Sequence, residues 1–231
     1  MKKRSSMAVL GTSALALCAV AVVGAGPALA HGPGRGAPKT VSLTANLTEL
    51  NGSGVSGTAT AVVRNQRIKH IEVHATGLTP DAPHAQHIHY GQQALNECPT
   101  LLLDANGDGR LNTLEGVPAY GPVVVSLTTQ GDTSPASLLA VDRFPVAAGG
   151  VLDYSRKNIR FTDVAGTGYA GGDGTARQIA ASIRDGEGVV VIHGLDYDDD
   201  GSYSLSAEGA SELDPSLPAE ATDPAACGVL R

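Results

Sequence analysis

The chain has 231 residues, 16 basic against 23 acidic side chains for a formal charge of −7, seven histidines, three cysteines, two phenylalanines and no tryptophan. That length suits one well-buried domain with a tail or long loops, and the abundance of Gly, Val, Ala, Thr and Ser points to strands and turns packed through small side chains. The acidic balance argues against nucleic acid or an anionic membrane as partner.

Residues 1–30 read as a secretory signal. Lys2, Lys3 and Arg4 form the charged start, 9–23 is an apolar stretch too short for a confident membrane span, and Ala28-Leu29-Ala30 is a small-residue cleavage site. Cys18 lies in that stretch without the small residue that precedes a lipoprotein cysteine, and no twin arginine is present. The expectation is a soluble, secreted product cleaved after Ala30, with the formal charge moved from −7 to −10 by loss of the three basic residues. Cys98 and Cys227 then remain as an even pair in an oxidising compartment, where a disulfide is the default reading.

Residues 31–39 form a flexible Gly/Pro leader. His31 would become the new terminus, where an amine and an imidazole can chelate copper, although its presence there by chance is the simpler reading. The segment 41–47 alternates, with Val41, Leu43, Ala45 and Leu47 on one parity, as a half-buried strand does. A turn at 51–54 leads into a second β-favouring run at 55–63, and 67–76 alternates again. This antiparallel meander feeds into His84-Ala85-Gln86-His87-Ile88-His89.

If that segment is extended, His87 and His89 project to one face and His84 to the other. Two imidazoles on one strand face are half of a metal site, or else surface histidines of a polar strand.

Residues 90–120 lack strand periodicity and read as a long loop. Within it, Asp104-Ala105-Asn106-Gly107-Asp108-Gly109-Arg110-Leu111-Asn112-Thr113-Leu114-Glu115 matches the twelve-residue EF-hand calcium loop at every diagnostic position. Asp104, Asn106 and Asp108 supply oxygens, Gly109 the sharp turn, Arg110 its carbonyl, Leu111 the apolar anchor and Glu115 the closing carboxylate. Pro99 and Pro118 leave little room for two flanking helices, so an isolated calcium loop is expected, with an exposed acidic turn as the alternative.

A short strand follows at 121–128, 129–160 is mixed, and 164–174 is a Gly-rich loop without the ending of a phosphate-binding loop. The stretch 176–183 fits helix or strand. The unbroken run Val189-Val190-Val191-Ile192 makes 188–193 a buried strand, and His193 ends it. A third imidazole opposite His87 and His89 would complete a three-nitrogen site suited to copper or zinc; the alternative is a lone histidine bonded to a carbonyl. His70 and His74 share a face and could add a ligand, or simply be solvated.

Asp196, Asp198 and Asp200 open a second calcium-like loop, whose twelfth position is Ala207 with Glu208 one residue late. The last thirty residues wander back to Cys227. No nucleophile elbow, Cys-His pair or paired-carboxylate pattern stands out. The elements together predict an all-β chain, an antiparallel Greek-key β-sandwich or flattened barrel with long loops over 40–231.

Several segments resemble the copper-zinc superoxide dismutase family in order: Gly77-Leu78-Thr79-Pro80 before the histidine strand, Cys98 in the following loop, Val189-Val190-Val191-Ile192-His193, and Ala226-Cys227-Gly228-Val229. The resemblance implies a superoxide dismutase-like sandwich with copper on His87, His89 and His193, His84 as a supporting non-ligand, and Cys98 paired with Cys227. The sequence departs from that family in having no histidine between His89 and His193, so no bridging histidine and no zinc site are expected. Pro224 stands where the family carries an arginine that attracts superoxide.

A weaker resemblance is to the chordin-repeat (CHRD) domain, carried by His87-Ile88-His89 and Gly121-Pro122-Val123-Val124-Val125. Two functions follow from these likenesses. One is a secreted copper protein acting on superoxide without its usual electrostatic guide; the other is a non-catalytic extracellular module stiffened by calcium.

Overall fold

The computed structural model describes residues 40–231. The expected signal segment 1–30 and the leader 31–39, with Cys18 and His31, lie outside the described residues. Eight strands run β1 (Thr40–Glu49), β2 (Ser56–Arg64), β3 (Arg67–Thr76), β4 (Gln86–His89), β5 (Val123–Ser126), β6 (Val151–Arg160), β7 (Gly188–His193) and β8 (Pro224–Leu230). Among the described residues, three α-helices accompany them: α1 (Thr113–Tyr120), α2 (Ala176–Arg184) and α3 (Ala219–Thr222).

Every strand pairing is antiparallel, in the order β5-β4-β7-β8-β1-β2-β3-β6. β1 joins the two halves, pairing with β2 along Thr40 to Leu47 and with β8 at Thr48 and Glu49. The sheet curls there into a half-barrel, so that its apolar faces meet. Leu43, Ala59, Val73 and Leu152 of one half share a core with Ile88, Val125, Val190 and Ile192 of the other. β4 and β5 lie in the second half while β3 and β6 are neighbours in the first, so long connections cross between the halves. The all-β expectation is met.

Strand periodicity explains the burial. In β1, Leu43, Ala45 and Leu47 are buried between exposed Ser42, Thr44 and Asn46. In β7 all six residues are buried, because both faces are covered. Val190 and Ile192 face the shared core, whereas Val189 and Val191 pack with Leu50, Tyr120 and Cys227 beneath a layer of loops. That layer is stapled to β8 by the Cys98–Cys227 disulfide, which spans 129 residues of sequence.

The structure adds elements that periodicity did not mark. The stretch 90–120 is not all loop: α1 occupies its end, started by a reciprocal cap between Asn112 and Glu115 and running through Pro118. The mixed region 129–160 ends in the ten-residue strand β6, which pairs with β3. The ambiguous 176–183 is helix α2, capped by Thr175 and Gln178 with Ile179, Ala180 and Ile183 on its buried side. The last thirty residues contain α3 and the almost wholly buried β8.

Because the disulfide closes a long loop, Cys98→Ser is expected to lower unfolding stability by about 3–5 kcal/mol in denaturant titrations. An unchanged midpoint would mean that the loop layer holds without its staple.

Candidate metal centre

Register brings three histidines to the outer face of the sheet, under the loop layer. His87 sits opposite Val191 and His89 opposite Val189. His193 shares the parity of Val189 and Val191, and a register shift between Ile192 and His193 in the β7–β8 pairing falls beside it. The rings therefore converge: centroids of His87 and His193 are 5.2 Å apart, His87 and His89 5.7 Å, and His89 and His193 6.1 Å. One ring nitrogen from each lies within 4.8 Å of the others. All three side chains are at most 3 % exposed.

Their protons are assigned by their partners. His87 Nε2 lies 3.1 Å from the Leu138 carbonyl, His89 Nδ1 2.8 Å from that of Gly121, and His193 Nδ1 2.7 Å from that of Thr222. A carbonyl only accepts, so each of these nitrogens carries the hydrogen. The remaining nitrogens, His87 Nδ1, His89 Nε2 and His193 Nε2, are buried lone pairs without a hydrogen-bond partner. Buried polar atoms in folded proteins are normally satisfied, and three orphans on adjacent rings are what metal ligands look like before binding.

Burial holds the rings neutral. Desolvation, reinforced by His193 and His89, keeps His87 well below its usual range; desolvation brings His89 to about 3 and His193 to about 4. Neutral imidazole is the ligating form. Tyr120 packs against His89 at a centroid distance of 4.4 Å, and Phe144 meets His87 edge-on at 5.3 Å. Gly121, whose carbonyl orients His89, has φ +84° and ψ 178°, a conformation nearly exclusive to glycine, and an added Cβ would lie 2.6 Å from Gly91 N.

His84 faces the other way and is fully buried. Its Nδ1 lies 3.0 Å from the His193 carbonyl and its Nε2 3.1 Å from that of Thr79, with the Tyr203 hydroxyl 3.0 Å from Nδ1. It touches the backbone of His193 rather than the space between the rings. His70 and His74 are apart from the triad, on β3, where they meet Ser155 and Asp153 of the neighbouring strand β6.

In the first acidic segment the backbone wraps around its own side chains. The Asp104 carboxylate accepts from Gly107 N at 2.7 Å and Gly109 N at 2.9 Å, Asn106 Oδ1 from Asp108 N at 2.9 Å, and Glu115 Oε1 from Ala105 N at 2.9 Å. Glu115 thus reaches back across the loop while capping α1. The Arg110 side chain keeps an ion pair with Asp108 of the same loop, Nε to Oδ2 at 3.2 Å, and reaches from there to the buried Asp223 carboxylate, one residue from the Thr222 carbonyl that holds His193.

The second acidic segment acquires a distant member. Asp196 and Asp198 offer carboxylate oxygens within 4.8 Å of each other and of Glu220 on α3. Asp200 turns instead to Ser202, accepting from its N at 2.8 Å and its Oγ at 2.7 Å. Glu220 is fully buried and accepts from Tyr197 N at 3.2 Å and Ser204 N at 2.7 Å. The sequence pattern sought this carboxylate at position 207 or 208; the chain supplies it from another element. Three groups that sequence reasoning missed are backbone carbonyls, and of these only Gly121 leaves a residue-type signal.

No family model matches the chain, and no curated protein matches it either.

A histidine held neutral in the fold but free to protonate when unfolded withdraws stability as pH falls below the unfolded value of 6.5. The buried Asp223 carboxyl, raised to about 7 by desolvation against the pull of Arg110, acts in the opposite sense. Metal-free protein is therefore expected to lose stability as pH falls from 6.5 to about 4, with a steeper slope than His89→Gln in paired denaturation curves. Equal slopes would mean that His89 is solvated in the metal-free fold.

Proposed function

We propose that this chain is a secreted, superoxide dismutase-like metalloprotein that holds copper on His87, His89 and His193. The observation that carries the reading is the set of three buried lone pairs, each left over after its ring gives its one proton to a backbone carbonyl. Three neutral nitrogens with no carboxylate or thiolate among them suit copper, which also binds a given nitrogen site more tightly than zinc does. The Cys98–Cys227 disulfide and the curled antiparallel sheet accord with this reading.

Copper in such a site supplies one-electron exchange with a small oxygen species, and superoxide is the substrate that the resemblance implies. The chain's own residues set the conditions. Leu138, Gly121 and Thr222 fix the tautomers, and burial keeps protons off the ligating nitrogens. With Pro224 in the arginine's place and no histidine from 90 to 192, the chain lacks those means of guiding an anion and relaying a proton, so dismutation should be slow.

The acidic loops are read as calcium sites that stiffen the wall around the centre. Asp104, Asn106, Asp108, the Arg110 carbonyl and Glu115 form the first, and Asp196 and Asp198 with Glu220 the second. A second reading is a non-catalytic extracellular module of CHRD type, in which the acidic loops bind calcium to stiffen the fold and the histidines are structural.

Metal analysis with electron spin resonance separates the two readings. Copper-loaded protein is expected to contain one copper per chain with a signal of nitrogen ligation, and His193→Ala to lose that signal; persistence of the signal would remove the three-histidine assignment. A calcium chelator is expected to lower the melting temperature of wild type, and to lower it less in Asp104→Asn, whose first loop is already weakened. No response to the chelator would leave the loops as solvated acidic turns.

A further inference from the structure

The loop layer leaves a cleft of about 720 Å³ above the triad, with His87, His89 and His193 at its floor. Its walls are apolar: Leu114 and Val117 come from α1, Leu138 and Leu139 from the connection after β5, and Leu213 and Leu217 from the segment before α3. Among the described residues, neither lysine nor arginine lines it. The one formal charge that the described residues place on the wall is the carboxylate of Asp163, whose Oδ1 accepts from Ala176 N at 2.7 Å.

This environment selects by charge and size. In the metal-free protein, an anion entering the cleft meets one carboxylate on the described walls and a floor of unshared electron pairs. Water finds few polar partners among leucine side chains. The volume falls in the range of sites for organic ligands, which is roughly 300–1,000 Å³, and far exceeds what a diatomic oxygen species needs. Leu114, at 52 % exposure, leaves apolar surface uncovered at the cleft that a ligand could cover.

We infer that this cleft binds an uncharged, largely apolar organic molecule, which lies against the leucine walls and presents one donor atom to the centre. The donor contact rests on the metal reading above; the apolar binding does not.

Two titrations test these parts separately. In copper-loaded protein, 4-phenylpyridine is expected to bind at least about tenfold more tightly than pyridine, because the extra ring buries against the walls. Leu114→Asp and Leu217→Asp should reduce the phenyl advantage while copper content stays the same. Absence of that advantage, or an advantage that survives both variants, would overturn the inference. In metal-free protein, the neutral fluorophore 1-aminoanthracene should bind wild type and bind Leu217→Asp several-fold more weakly. If copper does not bind but the fluorophore does so in this pattern, the metal reading fails and the apolar cleft stands; if the fluorophore does not bind wild type, or binds both proteins equally, the cleft inference fails.

Discussion

Each of the three buried imidazoles donates its only proton to a backbone carbonyl, and that constraint decides where the lone pairs go. With the proton placed on Nε2 in His87 and on Nδ1 in His89 and His193, the opposite nitrogens are left bare and buried. An unsatisfied buried polar group costs roughly 1–3 kcal/mol, so three together are a standing cost that a folded chain keeps only where something offsets it. A cation shared among the rings is the simplest offset. The same constraint explains why Leu138, Gly121 and Thr222, lying on three separate connections, bound one small volume.

The rest of the architecture serves to hold those connections still. β4 and β7 give the histidines a rigid base, with Ile88, Val190 and Ile192 packed on the inner face. Cys98 ties the outer layer to β8, and Tyr120 at the end of α1 packs beside His89. Arg110 carries the order of the first acidic loop to Asp223 and so to the segment behind His193. Glu220 does the same from the second loop, since the Leu195 N–H donates to its carbonyl while its carboxylate accepts from Tyr197 N and Ser204 N. Loop order and ring position are thus linked through one short stretch, 219–223.

Much of this was legible in the residues. Alternation in β1 and the unbroken apolar run of β7 identify strands directly, and the spacing of His87 and His89 places them on one face. Other elements were hidden because tertiary context made them. β8 carries Ala225, Ala226 and Gly228, poor strand formers that become a strand between β7 and β1. α1 forms despite Pro118 because Asn112 and Glu115 cap its start. The orienting carbonyls are backbone atoms and leave no trace in side-chain pattern, while Glu220 joins Asp196 only when the chain returns through α3. The cleft is the least legible feature, since its walls come from segments as far apart in the chain as Leu114 and Leu217.

A crystal of the copper-loaded protein, measured at the copper absorption edge, tests directly which ring nitrogens hold the metal. One anomalous peak is expected, bonded to His87 Nδ1, His89 Nε2 and His193 Nε2, with the opposite nitrogens still on the carbonyls of Leu138, Gly121 and Thr222. A peak at the acidic loops alone, or bonds to His87 Nε2 or to the Nδ1 atoms of His89 and His193, would contradict it.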